Sequence, residues 1–531
     1  MTAQVPPHCS AEAKGASSME EIQEKARARI EEERKAFSED AQNQGESPPK
    51  ADPTASFLLE CARKGQIGDA RLCIHLFKDH YCHDHASGRW NQWEGHYWGE
   101  DLVCNVVAEV DKVIEIYEKE AKKWKWIKLK ERKNKNEEAE KIAAANEAAF
   151  LEKIARLQNK HYRLNVIFLA AAGSDSLAMS GNEWDQNPYL IACPNGVLDL
   201  NKMEFRPGRP EDYIKTFCPT EWRGGDEPAP RFCKFLKEIF GEDLELIAYS
   251  KRLLGYGILG LVIHHILIIL WGIGRNGKGT LLEILYFVLG PLVGPIQAEL
   301  LLEQNNPRSS AGPSPDIMAL RGKRIVWASE TDEGRKLNAG KVKWLSGGDT
   351  LVGRVPYGKR EVPFKPSHLL FLLTNFKPKV KASDFALWNR IHLIPFKFSF
   401  IDDPKEPHHR KIDPNLMEDL KKEAPGILAL LVQGFREWKE KGLRPPAAVM
   451  QAVEQYKEEE DEVGLFIGDC CVIAAGATAK GQELYDAYKS WCDREGRKPM
   501  WQVKFGEQMK SRFEWKKEGV IVYYGIGLLA Q

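Results

Sequence analysis

Apolar positions along the chain change period several times, and each change predicts a different kind of element. Up to about residue 55, large apolar side chains are sparse among Glu, Lys, Ala, Ser and Pro. Residues 1–55 therefore read as a disordered or charged tail in which Glu20–Phe37 forms at most a lone polar helix. Trp90, Trp93, Tyr97 and Trp98, punctuated by Gly88 and Gly95, predict a short strand pair with a tight turn. Val106, Val110, Val113 and Tyr117 then recur at helical spacing and lead into the charged run Lys119–Lys135. That pattern predicts long helix from 102 to about 159 with a solvated face. Tyr189–Cys193 predicts a strand, Asn195-Gly196 a turn and Val197–Leu200 the return strand. Residues 231–256 read as helix. The apolar run Gly255–Trp271 is interrupted by His264 and His265; a membrane span wants about 20 clean apolar residues, so this run predicts a helix end followed by a buried strand. From 264 to 400 apolar strands alternate with helices, the signature of an α/β domain. Residues 414–440 read as helix, 453–462 as a charged linker, and 463–531 as a small mixed domain.

Composition narrows this picture. A chain of 531 residues holds about two to four domains. With 43 % apolar and 29 % charged residues it reads as soluble and globular. Lys plus Arg and Asp plus Glu both number 76, so bulk charge gives no argument for a nucleic-acid partner and any basic surface must be local. The eleven cysteines are scattered without a C-x-x-C pair, which fits a reduced cytoplasm better than a secreted disulfide framework. Met1 is followed by a polar stretch without an apolar core, so no signal peptide and no membrane partner are expected. His75, His80, Cys82, His83 and His85 cluster in sequence, yet their spacing fits no closed zinc site.

The chemistry concentrates after the run Ile266–Leu270. Gly272-Ile-Gly-Arg-Asn-Gly-Lys-Gly-Thr280 follows it and opens the helical stretch Leu281–Leu289. This is G-x-x-x-x-G-K in the strand–loop–helix setting of a phosphate-binding loop. Gly272, Gly274 and Gly277 let backbone N–H groups turn inward beside Asn276, and the helix N-terminus adds its positive dipole end. Lys278 would reach the β- and γ-phosphates of ATP. The position after the lysine, ordinarily a Ser or Thr ligand to Mg²⁺, is Gly279, leaving Thr280 as the candidate hydroxyl. Some fifty residues on, the apolar stretch Arg324–Glu330 ends in an acid and runs into Thr331-Asp332-Glu333-Gly334. Glu330 at a strand tip could polarise the attacking water or help hold Mg²⁺, with Asp332 close to the nucleotide.

These pieces, with Pro194–Leu200, Leu320–Arg324, Ser329–Gly334, Leu345–Thr350, Leu373–Pro378 and Trp388–Phe396, occur in one order. Their ordered sum resembles superfamily 3 helicases of the poxvirus-type family shared with phage and plasmid primase-helicases. The likeness runs from about residue 57 to the C-terminus and is strongest over 181–400. It implies an α/β fold: a P-loop, AAA+-like ATPase core with a central parallel sheet and flanking helices. A helical N-terminal region would precede the core and a winged-helix domain would follow it. The domain plan becomes a tail at 1–55, an aromatic and helical region at 56–180, and the family's helicase-associated domain at 181–255. The ATPase follows at 256–450 and the winged helix at 463–531. Asn375 matches the polar sensor of the γ-phosphate, and Arg390 matches the arginine finger offered to the neighbouring subunit, worth a factor of about 10³–10⁵ in other NTPases. The resemblance also implies a hexameric ring. Ser329 stands where many members have a first acid, and Asn389 where relatives often have a further arginine.

Two segments read as DNA contacts. Leu351–Val355 and Lys359–Val362 flank Pro356-Tyr-Gly358, a hairpin with a basic tip. In superfamily 3 rings such a loop enters the central channel, which would put Arg354, Lys359 and Arg360 on phosphates and Tyr357 on a base. In the C-terminal domain, Glu483–Cys492 and Gln502–Phe513 read as the helices and Lys516–Leu528 as wing strands around Gly519. Arg494, Arg497, Lys498, Lys504, Lys510, Arg512, Lys516 and Lys517 crowd this region. The expected function is ATP-dependent unwinding in replication of a phage, plasmid or integrated element. The chain would move 3′ to 5′ on single-stranded and forked DNA in a bacterial host cytoplasm, with a separate primase or polymerase as partner. Two other readings stay open: a nucleotide-gated DNA-binding or origin-recognition protein with slow hydrolysis, and a primase-helicase that also makes primers.

Overall fold

The computed structural model describes residues 53–304, 313–330, 332–354 and 361–529, with only the backbone of Glu330 and Glu518. The tail expected at 1–55 falls almost wholly outside the described residues. Leu267–Trp271 (β1), Val293–Pro295 (β2), Ile325–Glu330 (β3), Leu369–Thr374 (β4) and Ile391–Pro395 (β5) form one sheet. Its order is β5-β1-β4-β3-β2 and every pairing is parallel. A parallel sheet is covered on both faces, so its strands carry apolar runs in place of alternation. Ile268 and Leu270 of β1 share one core with helices Pro230–Phe240, Leu244–Gly257, Lys278–Leu289 and Ala424–Lys441. Leu267 and Ile269, pointing the other way, join a second core with Leu370, Leu372, Leu387, Trp388 and Tyr456. The broken apolar run thus resolves as expected, into the end of helix Leu244–Gly257 and the strand β1. Among the described residues no helix is long and apolar enough to cross a membrane.

Ahead of the sheet, Leu190–Cys193, Gly196–Asp199 and Glu204–Arg206 make an antiparallel meander; Cys193 pairs with Gly196, so the turn falls on Pro194-Asn195, one residue earlier than expected. Arg324, 7 % exposed just before β3, ties this meander to the core. Its guanidinium donates to the carbonyls of Pro188 (3.0 Å), Leu190 (2.5 Å) and Ile258.

The N-terminal region is a separate core. The expected strand pair is an antiparallel meander of Tyr81–Asp84, Arg89–Trp93 and Trp98–Glu100, extended by a short parallel strand at Ala178–Met179. The long helical stretch is broken at Asn134–Asn136, where Lys135 takes a φ of 55°. Helices Val110–Lys133 and Glu137–Leu157 therefore fold back on one another. Asp69, on helix Gly65–Phe77, is fully buried against both of them. It accepts hydrogen bonds from Tyr117 (2.9 Å), Lys153 (2.8 Å) and Tyr162 (2.7 Å). Of the His/Cys cluster, Cys82 is packed with Trp98 and Trp184, while His85 bonds the Ala171 carbonyl at 2.8 Å. Among the described residues, the group close enough to share a metal ion is Glu406, His408 and His409.

The segment at 453–462, expected as a linker, is mostly helix. Ala447–Glu459 is one helix and Glu462–Cys470 the next. The charge count hid an apolar side: Val449 and Tyr456, two turns apart, are buried, and the Tyr456 hydroxyl donates to the Pro378 carbonyl. Beyond it lie helices Gly481–Arg494 and Gln502–Lys510 and a three-stranded antiparallel sheet. In that sheet Val520–Leu528 runs between Cys471–Lys480 and Trp515–Glu518. The second helix ends at Lys510, three residues before its expected end, and Gly519 at φ 79° makes the turn between the last two strands.

Candidate nucleotide site

Strand β1 ends at Trp271, whose carbonyl accepts from Phe396 N (2.7 Å), and the chain then turns through Gly272–Gly277 into helix Lys278–Leu289. Gly272 N bonds the Thr374 carbonyl at 3.3 Å, which fixes the start of the loop against the end of β4. A side chain at Gly272 would collide with the Phe396 carbonyl, 2.3 Å from a Cβ built there. Gly277, at φ 85°, is the helix cap, and its Cβ would lie 2.6 Å from Ile239. Gly274 carries no such restriction; nothing lies within 4 Å of its Cβ position. On the outer side, Phe400 N donates to the Arg275 carbonyl at 2.7 Å. The loop is held from three directions: by the neighbouring strand ends, by helix Pro230–Phe240, and by strand Ser399–Ile401.

Lys278 is the first residue of the helix and only 7 % exposed. Its Nζ donates to the Gly272 carbonyl and approaches Asn375 Oδ1 at 3.4 Å. Burial without a carboxylate pushes its ammonium down to about 8. Asn276 is 3 % exposed; its Oδ1 faces Lys278 N at 3.5 Å, and its Nδ2 finds no partner among the described residues. A buried amide donor with nothing to donate to costs free energy. Here it lies beside a helix N-terminus of twelve residues and a buried ammonium. These three features fit phosphate oxygens. Gly279 is exposed, with nothing within 4 Å of a Cβ there, and Thr280 is half-buried.

The register of the sheet brings the other predicted residues to this end. Glu330 pairs with Thr374, and Thr374 with Trp271, so the ends of β3, β4 and β1 lie side by side. Asn375 follows Thr374, and its Oδ1 lies 3.4 Å from Lys278 Nζ. Asp332 is exposed and faces Arg335 at 3.9 Å. Arg390 lies elsewhere. It precedes β5, and its carbonyl accepts from Leu267 N (2.7 Å), at the opposite end of β1 from the loop. Four strand steps of about 3.3 Å separate those ends, more than an arginine side chain spans. Its Nη1 donates to the Ala386 carbonyl at 3.1 Å, and its Nε has no partner among the described residues.

The flanks of the expected hairpin pair, Leu351–Gly353 antiparallel to Val362–Phe364, while residues 355–360 lie outside the described residues. Arg354 is half-buried where the described strand ends, its backbone paired with Ser314. Tyr357, Lys359 and Arg360 lie outside the described residues. Sequence reasoning missed the two supports of the loop, helix Pro230–Phe240 and strand Ser399–Ile401. The first carries an apolar stripe (Phe232, Phe235, Leu236, Ile239) legible as a buried face, but nothing in the residues says which loop it meets.

Comparison with known proteins adds the family. Residues 70–241 match the model described as D5 N terminal like, and residues 458–521 match the poxvirus D5 protein-like model. The chain is 30 % identical over 442 residues to "Putative helicase L207/L206" of Acanthamoeba polyphaga mimivirus, covering 79 % of this chain and 44 % of that protein. It is 28 % identical to "Putative helicase 184R" of Invertebrate iridescent virus 6, covering 56 % of this chain and 33 % of that one. It is 25 % identical to "Primase D5" of fowlpox virus, covering 44 % and 30 %. The chain thus spans less than half the length of each of these relatives. Among solved structures, the apo C-terminal region of NrS-1 aligns at a TM-score of 0.40 and 16 % identity, covering 59 % of this chain and 80 % of that one. The two family segments and the relatives agree with the ordered motifs, and the chain is similar to the poxvirus-type D5-like helicase family over those segments.

Proposed function

We propose that this chain is an ATP-dependent DNA helicase with a P-loop, AAA+-like ATPase core and a C-terminal winged helix. The reading rests on one observation above the rest: a buried lysine and an unpartnered buried asparagine amide meet at a helix N-terminus beside Asn375. ATP fits that donor set. Backbone amides of Gly272–Gly279 and the Asn276 amide would bind phosphate oxygens, and Lys278 would exchange its bond to the Gly272 carbonyl for the β- and γ-phosphates. Mg²⁺, when bound, would neutralise phosphate charge, held by the Thr280 hydroxyl and Glu330, with Asp332 near by. Glu330 would take the proton of the attacking water, and Asn375 would orient that water. Arg390, too far from its own loop, suits a finger supplied to the next subunit. Activity would then require a ring, which the superfamily 3 resemblance implies is a hexamer. Arg354, with Tyr357, Lys359 and Arg360, would hold single-stranded DNA in the ring. A separate primase or polymerase would complete the replication machinery. Forked duplexes with only a 3′ or only a 5′ single-stranded tail test the function: unwinding of the 3′-tailed fork is expected, and preference for the 5′ tail would refute the proposed polarity.

Gly279 favours a second reading. An exposed glycine where a hydroxyl ordinarily binds Mg²⁺ thins the metal shell, as in a nucleotide-gated DNA-binding or origin-recognition protein with slow hydrolysis. ATP turnover with single-stranded DNA that matches a Lys278→Ala blank would favour it.

A further inference from the structure

The C-terminal domain carries a groove that the ATPase chemistry leaves unused. It lies where helix Gln502–Lys510 meets strands Trp515–Glu518 and Val520–Leu528. It encloses about 650 Å³ and is lined by Phe513, Trp515 and Tyr524 together with Lys510, Arg512 and Lys516. Trp515 leaves 44 % of its surface in water, so part of its indole stays open to a partner. Lys510 Nζ sits 4.6 Å from the centroid of the Trp515 ring, and Lys516 Nζ 5.7 Å from that of Tyr524. Arg512 is committed to Asp461 at 2.5 Å. Neither Lys510 nor Lys516 has a carboxylate partner among the described residues, and Glu514 is the one acid lining the groove. The groove therefore offers ring faces and a net positive charge side by side.

That combination selects its occupant. An acidic peptide would satisfy the two ammonium groups and leave the indole face idle. A DNA duplex would supply phosphates, but its bases are already stacked. A single strand presents phosphates and free base faces in alternation, the pattern that aromatic-and-basic surfaces bind. We propose that this groove binds single-stranded nucleic acid, with a base stacked on Trp515 and the flanking phosphates held by Lys510 and Lys516. It is a second strand contact, apart from the ATP loop, and it does not depend on nucleotide hydrolysis.

The test uses the full chain, without nucleotide, and an oligothymidylate carrying one 5-iodouracil. Photocrosslinking should attach the oligomer to the peptide containing Trp515 or Tyr524. Trp515→Ala should weaken binding roughly 5- to 100-fold, the range for losing one stacked base, while Trp515→Phe should retain most of it. Lys510→Glu with Lys516→Glu should weaken binding and flatten its salt dependence by roughly 0.7 per lysine in the log–log slope. Unchanged melting temperatures would show that the fold is intact. Crosslinks confined to other regions, or equal affinity of the Trp515→Ala chain, would overturn the proposal. So would an equal loss on blunt duplex, because stacking on a free base would then be irrelevant. A chain that crosslinks here but does not hydrolyse ATP would sink the helicase reading and leave this one standing.

Discussion

Lys278 carries the heaviest load of any side chain in the proposed site, and its environment makes a pH prediction. Burial lowers its pKa to about 8, so the ammonium is fully charged below that value and progressively neutral above it. ATP requires the charged form. Affinity should therefore be steady below about pH 8 and fall as pH rises through it, with a proton taken up on binding in that upper range. Calorimetry in buffers of different ionisation heat measures both; affinity unchanged between pH 7 and 9.5 would contradict the assignment. Gly279 makes a second residue-scale prediction. Because a Cβ there meets nothing within 4 Å, Gly279→Ser should fold normally and restore a hydroxyl beside the lysine. The Mg²⁺ concentration for half-maximal ATP hydrolysis should then drop several-fold, whereas an unchanged Mg²⁺ requirement would mean that Thr280 already fills the role. Lys278, Gly272 and Gly277 were legible because the G-x-x-x-x-G-K spacing singles them out, whereas Asn375 was marked only by the family resemblance. Phe396, Phe400 and Ile239 were not, since their contacts with the loop are set by tertiary packing that no local spacing encodes.

At the scale of elements, periodicity told strand from helix well wherever one pattern dominated. The run before the loop resolved into a helix end and a buried strand, and the two strands expected around residue 195 pair, with their turn one residue early at Pro194-Asn195. Reading by net polarity failed at 453–462, where a charged stretch hides the buried Tyr456. The aromatic cluster at 90–98 gave two strands, but the third and the parallel edge at Ala178–Met179 come from pairing that sequence neighbours do not reveal. Asp69 is a similar case: a lone acid in an apolar helix reads as exposed, yet it is fully buried under two tyrosines and Lys153. Removing it would leave the Lys153 ammonium, itself 5 % exposed, unpaired in the core. Asp69→Ala should therefore destabilise the N-terminal helical region by about 3–5 kcal/mol. Thermal unfolding followed by hydrogen exchange in residues 55–170 reads this. A loss below 1 kcal/mol would mean that the network is better hydrated than its burial implies.

For the molecule as a whole, the sheet order puts the phosphate loop and Arg390 at opposite ends of β1. On the proposed reading, a single chain would hold half of two active sites and the whole of neither. This arrangement makes the account testable by mixing. Lys278→Ala should lack ATP binding, and Arg390→Ala should bind ATP yet lose hydrolysis by a factor on the order of 10³ or more. Each alone should be inactive. Mixed in equal amounts with single-stranded DNA, they should recover a substantial fraction of wild-type turnover, because some interfaces then pair an intact loop with an intact guanidinium. If the mixture stays as inactive as its components while both variants still assemble, Arg390 does not act across the interface and the central claim fails.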